Sequence, residues 1–212
     1  LIPETLTQGS VPQGGSLGDF HRIDIRREAA LRCGCDQIIS HSLRDVHPRD
    51  ELCEKVVLKN PNAPDMATLR PSLLPCLADA ARRNGAKDLH LFEIGRVFYG
   101  DNGPKECKKF AMMSMGSLIP GHWTKADAPT ADFFSLKGSL MSVLESIGVE
   151  VQLDGSSGDP RFHPTRQARL LAVPTESDSS DPSGILKGMP LGIMGQIHPD
   201  IAESLSLPAE TV

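Results

Sequence analysis

Two strand-forming segments on either side of one short turn fix most of what this chain can become. Asp88–Tyr99, carrying Leu89, Leu91, Ile94, Val97 and Phe98, runs into Gly100-Asp-Asn-Gly-Pro104, and a second apolar segment follows through Phe110–Leu118. Turn residues between two such segments predict an antiparallel pair. An isolated pair is marginal in water, so its stability depends on what packs against it.

The strongest candidate for that packing starts at Asp132. Phe133, Leu136, Leu140, Val143, Leu144 and Ile147 recur at helical spacing, with Asp132 placed to cap the helix and Gly148 to stop it. A second helix follows Thr68-Leu-Arg-Pro-Ser-Leu-Leu-Pro75: Leu74, Leu77, Ala78 and Ala81 share its stripe, Ser72 is the expected cap, and Gly85 ends it. Pro75 falls in the first turn, where no intrahelical hydrogen bond is lost. A third, basic helix has Ile23, Arg27, Ala30 and Leu31 on one stripe, Arg22, Arg26 and Arg32 beside it, and Gly34 as the stop. Short strands are expected at Gln37–Leu43, Lys55–Lys59, Val149–Leu153, Ala168–Val173 and near Leu191–Ile197, and Pro199 opens a short final helix through Leu205. The Ser- and Asp-rich stretch Pro174–Gly184 is expected as a mobile hairpin tip. Strands joined mostly to neighbouring strands, with a few helices to cover them, imply an α+β fold with a mainly antiparallel sheet flanked by helices.

Residues 1–18 hold four Gly and two Pro without apolar periodicity and are expected to be a linker from a preceding domain; 19–207 form the domain and 208–212 a tail. The start at Leu1 rather than Met suggests a piece of a longer polypeptide. No apolar run approaches the roughly 18 residues of a membrane helix, so no membrane association is expected. Five cysteines without a signal-peptide pattern point to reduced thiols in a cytoplasm. A formal charge of −5 provides no global attraction for a nucleic-acid backbone, and nine aromatic residues (seven Phe, Trp123 and Tyr99) leave few stacking platforms for bases.

The common chemical signatures are absent or out of place. Cys33-x-Cys35 with Cys53, His21, His41 and His47 lacks the paired spacing of a structural zinc site, so buried thiols are the default. There is no phosphate-wrapping Gly-x-x-x-x-Gly-Lys and no dinucleotide Gly-x-Gly-x-x-Gly. Gly14-Gly-Ser-Leu-Gly18 spells a hydrolase elbow, but no apolar strand leads into it, and Gly155-Ser-Ser-Gly158 reads as a turn. Leu91-Phe-Glu-Ile-Gly-Arg-Val-Phe98 is more informative, because Glu93 and Arg96 in an apolar strand both require partners.

That octapeptide stands in a series: Ile2-Pro-Glu-Thr-Leu6, Asn60-Pro61, Leu69-Arg-Pro-Ser-Leu-Leu-Pro75, Asp132-Phe-Phe-Ser-Leu-Lys-Gly138, His163-Pro-Thr-Arg166 and Gly195-Gln-Ile-His-Pro199. Together and in order these resemble the bacterial phenylalanine–tRNA ligase beta subunit, over nearly the whole chain. The resemblance implies a class II aminoacyl-tRNA synthetase-like module in an assembly that charges tRNA(Phe), with ATP and magnesium serving the assembly and no cofactor or metal held by this chain. An active class II module follows a strand like Phe92–Phe98 with Arg-x-Glu, whose guanidinium grips the ATP α-phosphate. Here the strand continues as Tyr99-Gly-Asp101, and a phenol supplies no cation. The Gly-rich strand Gly192-Ile-Met-Gly195 likewise lacks the second ATP-binding arginine.

Glu93, Arg96, Tyr99, Asp101, Gly192 and Gly195 are therefore read as degenerate ATP-motif positions, with no catalytic residue. The family's partners would be an alpha subunit that carries the aminoacylation site, a second alpha-beta pair, and tRNA(Phe) through the assembly. Arg22, Ile23, Arg26, Arg27, Ala30 and Leu31 are the candidate interface, apolar along the stripe with arginines at its rim. His163-Pro-Thr-Arg166 departs from the family's usual His-Pro-Gly-Arg, so Thr165 would be strained if that position required a positive φ. The rival reading is a free-standing degenerate paralogue that binds an amino acid or nucleotide as a regulator.

Overall fold

A computed structural model describes residues 26–45, 55–85, 87–100, 105–119, 128–155, 157–173 and 188–212. The expected linker, Arg22, Ile23, His21, His47, Cys53, Asp101, Trp123, the Gly14–Gly18 elbow and the Pro174–Gly184 tip lie outside these residues.

The antiparallel pair is present as β5 (Leu89–Tyr99) and β6 (Lys105–Met115), in register from Leu89 opposite Met115 to Tyr99 opposite Lys105. A two-residue β1 (Asp36–Gln37) pairs with β5 in parallel, giving the order β1-β5-β6. A second small sheet is formed by β2 (Leu43–Arg44), β4 (Thr68–Leu69) and β3 (Val56–Val57), and a third by β7 (Glu150–Asp154), β8 (Phe162–Val173) and β9 (Pro190–Ile197). The strand expected over Gln37–Leu43 is thus two strands in two sheets. The division has a local cause: Ser40 gives its backbone N–H to the Glu93 carboxylate instead of a ladder partner, and Ile39 beside it is 90% exposed.

Among the described residues four α-helices accompany these sheets. The first, α1, runs through residues 26–32, ends at Gly34 with φ of 78°, and lays Ala29 and Ala30 on Phe92. Helix α2 (Leu74–Asn84) begins after Leu73, one residue later than a Ser72 cap would place it. The Ser72 hydroxyl accepts the Leu74 N–H at 3.3 Å, Pro75 occupies the first turn, and Gly85 closes the helix at φ of 61°. Helix α3 (Phe133–Ser146) has the expected Asp132 cap: Asp132 Oδ1 accepts the Ser135 N–H at 2.7 Å, and Ser135 Oγ accepts the Asp132 N–H at 2.8 Å, a reciprocal capping box. Helix α4 (Pro199–Ser204) follows β9. Among the described residues no helix is long and apolar enough to cross a membrane.

The two faces of the β5–β6 pair are covered differently. Leu91, Met113 and Met115 meet Leu77, Ala78 and Ala81 of α2 together with Ala202 and Leu207. On the other face Phe92 meets α1 and Val143 of α3, with Phe110 and Met112 alongside. The stripe of α3 also serves the third sheet, where Phe133, Leu140 and Leu144 pack on Ala168, Leu170 and Met194. One helix therefore joins two sheets, each buried large side chain contributing about 1.5–3 kcal/mol.

Residues 208–212 are not a tail. Ser114 and Val212 exchange backbone hydrogen bonds at 2.8 and 3.0 Å, Thr211 accepts from Ile197 N at 2.9 Å, and Thr211 and Val212 are buried. The unpaired edge of β6 supplies the reason, since its N–H and C=O groups need partners.

Asp132→Ala removes the α3 cap and is expected to cost about 1 kcal/mol in urea denaturation. The Ser135 backbone N–H holds the Asp132 carboxyl below its ordinary value, so the charge-dependent part of this contribution is complete above the unfolded pKa of about 3.9 and fades as pH falls through the lower folded value. Asp132→Asn, which keeps an acceptor but cannot titrate, is expected to lose that pH dependence when its stability is compared with the parent's.

Candidate functional site

The sequence demands partners for Glu93 and Arg96, and the structure provides two very different ones. Glu93 lies inside the sheet with its side chain 2% exposed, 2.7 Å from the guanidinium of Arg70, itself 4% exposed. Arg70 is held by its backbone, donating to Ser42 O and accepting from Phe98 N, each at 2.9 Å, while Pro71 starts the approach to α2. Its Nε donates to Arg96 O at 2.8 Å, and Nη1 donates to Glu93 Oε1 and to the Ser40 hydroxyl. That hydroxyl donates to Glu93 Oε2 at 2.7 Å, and the Ser40 N–H donates to Oε1 at 3.2 Å. Both carboxylate oxygens are thereby engaged, as a charge removed from water requires. A Cβ on Gly95 would lie 2.3 Å from Arg70 Nη2, so only glycine admits the guanidinium here.

This arrangement binds the one deeply buried arginine among the described residues to a carboxylate. It is a strut joining the Ser40 loop, the start of α2 and the centre of β5. Arg70 was legible in Leu69-Arg-Pro71 as a residue but not as Glu93's partner, because 23 residues separate the two.

The other sequence-predicted positions among the described residues lie apart, Arg96 and Tyr99 on β5 and Gly192 and Gly195 on β9. Arg96 reaches Glu106 at 3.3 Å with both side chains more than half exposed, a weak surface pair. Tyr99 ends β5 and hydrogen-bonds Cys107, which raises its pKa. On β9, a Cβ at Gly195 would sit 2.9 Å from the Phe162 ring and 3.0 Å from Arg166 O, whereas Gly192 has room. Gly195 thus serves close strand packing. Thr165 is extended within β8, with its hydroxyl 3.2 Å from His163 Nδ1, and the strain a positive φ would have caused is absent.

On α1 the expected stripe divides. Ala30 is fully buried against the chain's own sheet, which removes it from the candidate interface, while Leu31 is 49% exposed and Arg26 and Arg27 are half-buried. The thiols follow the helix: Cys35 is buried, and burial, then Cys33 and Asp36, push its pKa up to about 12, leaving it a poor nucleophile and metal ligand. Among the described residues no group of three His, Cys, Asp or Glu side chains is placed to hold a metal ion.

A depression of about 560 Å³ opens at the start of α3, lined by Asp132, Phe134, Arg166, Gln196 and Glu210 among others. Its one arginine donates to Gln196 Oε1 at 2.7 Å beside two carboxylates, a poor match to a polyphosphate.

Comparison with known proteins is consistent along the whole chain. The family model described as phenylalanyl tRNA synthetase beta chain CLM domain matches residues 2–212. The phenylalanine–tRNA ligase beta subunit of Symbiobacterium thermophilum is 33% identical over 198 residues, covering 86% of this chain and 20% of that protein. That of Trichormus variabilis is 34% identical over 213 residues, covering 98% and 23%. The chain thus spans about a quarter or less of these relatives' length. Among solved structures, a pyrrolysyl tRNA synthetase from Desulfitobacterium hafniense superimposes with a TM-score of 0.57 at 14% identity, over 89% of this chain and 62% of that one. At that identity the likeness shows the class II fold.

Arg70→Met is expected to lower the unfolding free energy by about 3–5 kcal/mol, because it leaves the Glu93 carboxylate buried without its cation. The double variant Arg70→Met/Glu93→Met is expected to recover most of that loss in urea denaturation, distinguishing an unpaired charge from a lost packing contact.

Proposed function

Because the chain belongs to the phenylalanyl tRNA synthetase beta chain CLM domain family, we propose that it is the non-catalytic class II core through which the beta subunit organises a catalytic alpha subunit. The reading extends to a tetramer of two alpha-beta pairs that charges tRNA(Phe) with phenylalanine, in the cytoplasm, with ATP and magnesium used by the assembly and neither held by this chain.

The observation that carries it is the chemistry around β5. Forming an acyl-adenylate requires cations aimed at the α-phosphate, and their stabilisation of developing charge is a large part of such catalysis. At the end of β5 stands Tyr99, hydrogen-bonded to a thiol. The nearest guanidinium along the strand, Arg96, faces Glu106, and the buried one, Arg70, is tied to Glu93. The space between α2 and the sheet, where a small ligand would need room, is filled by Leu77, Leu91, Met113, Met115 and Leu207. Supporting an interface role, α1 keeps Leu31, Arg26 and Arg27 off the core, a mixture of apolar and arginine character typical of protein contacts. Arg22, Ile23 and Asp101 belong to the same proposal on sequence grounds alone.

Mixing the chain with its alpha subunit is expected to give a complex whose mass, measured by light scattering, exceeds that of either component. The lone chain is expected to show ATP–pyrophosphate exchange at background. Exchange above background would refute the non-catalytic reading, and a rise in melting temperature with an amino acid or nucleotide, without alpha binding, would favour the regulatory one.

A further inference from the structure

Two sheet edges face each other across Thr211 and Val212. Ser114 of β6 donates its N–H to Val212 O at 2.8 Å and accepts the Val212 N–H at 3.0 Å, the reciprocal exchange of an antiparallel pair. On the other side Ile197 of β9 donates its N–H to Thr211 O at 2.9 Å. These two residues thus start a strand lodged between β6 and β9, the outer members of the β1-β5-β6 and β7-β8-β9 sheets. Alternate residues of a strand turn their backbone groups to the same side, so Met112 and Phe110 follow Ser114, and Gly195 and Ile193 follow Ile197. Among the described residues no strand pairs with that side of these four. Both faces of the interval nevertheless carry cover. On the α3 side Leu136 shares a cluster with Met112 and Val212, Val143 shares one with Met112 and Phe110, and Leu140 and Leu144 share one with Met194. On the opposite side Ala111, Met113 and Ile197 belong with Ala202 and Leu207. Backbone groups under such cover need partners, and Phe110 and Met112 remain only half-buried.

We propose that the polypeptide following Val212 in a longer beta subunit runs on as a strand between β6 and β9, antiparallel to both, and joins the two three-stranded sheets into one. The inference rests on the reading of this chain as a beta-subunit core, which covers 20% and 23% of two such subunits, and adds the segment that its open edges receive. Val212 already fixes direction and register: the second residue beyond it falls opposite Met112 and the fourth opposite Phe110. A tethered strand also loses far less translational freedom on docking than one from another molecule, which favours the continuing chain over a second copy or a partner's strand. With α3 on one face and the Ala202 and Leu207 cluster on the other, the segment is expected to be apolar on both faces rather than alternating.

The test compares this chain with the same chain extended by about ten residues of its own reading frame, enough at about 3.3 Å per residue to run the length of β9. In the extended chain, amide hydrogen exchange at Phe110, Met112, Ile193 and Gly195 is expected to slow at least about tenfold. Proline at the second and fourth added positions removes the donors aimed at β6. It is expected to restore the faster exchange at Phe110 and Met112 while Leu77 and Phe92 keep their slow exchange, which shows the rest of the fold intact. Unchanged exchange in the extended chain, or a reading frame that stops at Val212, overturns the proposal. Slow exchange at the four amides in the unextended chain, with a dimer in light scattering, overturns it in favour of a second copy. Protection that appears only on adding the alpha subunit overturns it in favour of a strand from that partner. Alpha binding with these edges unprotected sinks this inference alone, whereas protected edges in an extended chain that does not bind alpha sink the proposed function and leave the strand in place.

Discussion

A guanidinium and a carboxylate shut inside a sheet must find each other, because neither can be left in a low-dielectric interior alone. In this chain that requirement draws together three segments distant in sequence. Arg70 comes from the turn between β4 and α2, Glu93 from the middle of β5, and Ser40 from the loop leaving β1. The Ser40 N–H and hydroxyl are consumed by Glu93, which ends the ladder that β1 began and sends the chain toward the second sheet. Gly95 is small because Arg70 Nη2 occupies the space a side chain would take. The hydrophobic clusters on either face then have a fixed strand to pack against.

The same strut illustrates one of two uses a fold can make of a guanidinium. A guanidinium neutralised by a carboxylate steadies the sheet but offers nothing to a phosphate, whereas one held free at a strand end would cost stability and provide catalysis. The described part of this chain keeps the first kind at Arg70, and β5 ends on the phenol of Tyr99. On the α2 side the sheet is covered by core, with Met113, Met115 and Leu207 packed against the helix.

What the sequence disclosed and what it concealed divide along contact distance. The β5–β6 pair, the Asp132 cap and the stops at Gly34, Gly85 and Gly148 were all legible, since each is specified by residues within a few positions of one another. The parallel pairing of β1 with β5, the lodging of Val212 beside Ser114, and the Arg70–Glu93 pair were not, because each joins segments that no local period relates. β8 also begins at Phe162, six residues before its apolar alternation, since Thr165 and Arg166 are exposed and give no apolar signal. At the site, sequence identified Glu93 and Arg96 as charges in need of partners but could not tell that one is buried and structural while the other is exposed.

Helix α1 shows how burial sorts a single stripe into two roles. Sequence placed Arg27, Ala30 and Leu31 on one face, yet a helix resting on a flat sheet turns only a narrow arc inward, and Ala29 and Ala30 are small enough to let its backbone approach Phe92 closely. Leu31 and Arg27 then flank that line of contact, neither fully buried nor fully in water. Their position follows from the size of the alanines: larger residues there would lift the helix from β5 and open the gap that Arg27 now shares with Arg96 and Lys108. The outward chemistry of α1 is thus set by the small residues beneath it as much as by its own cations.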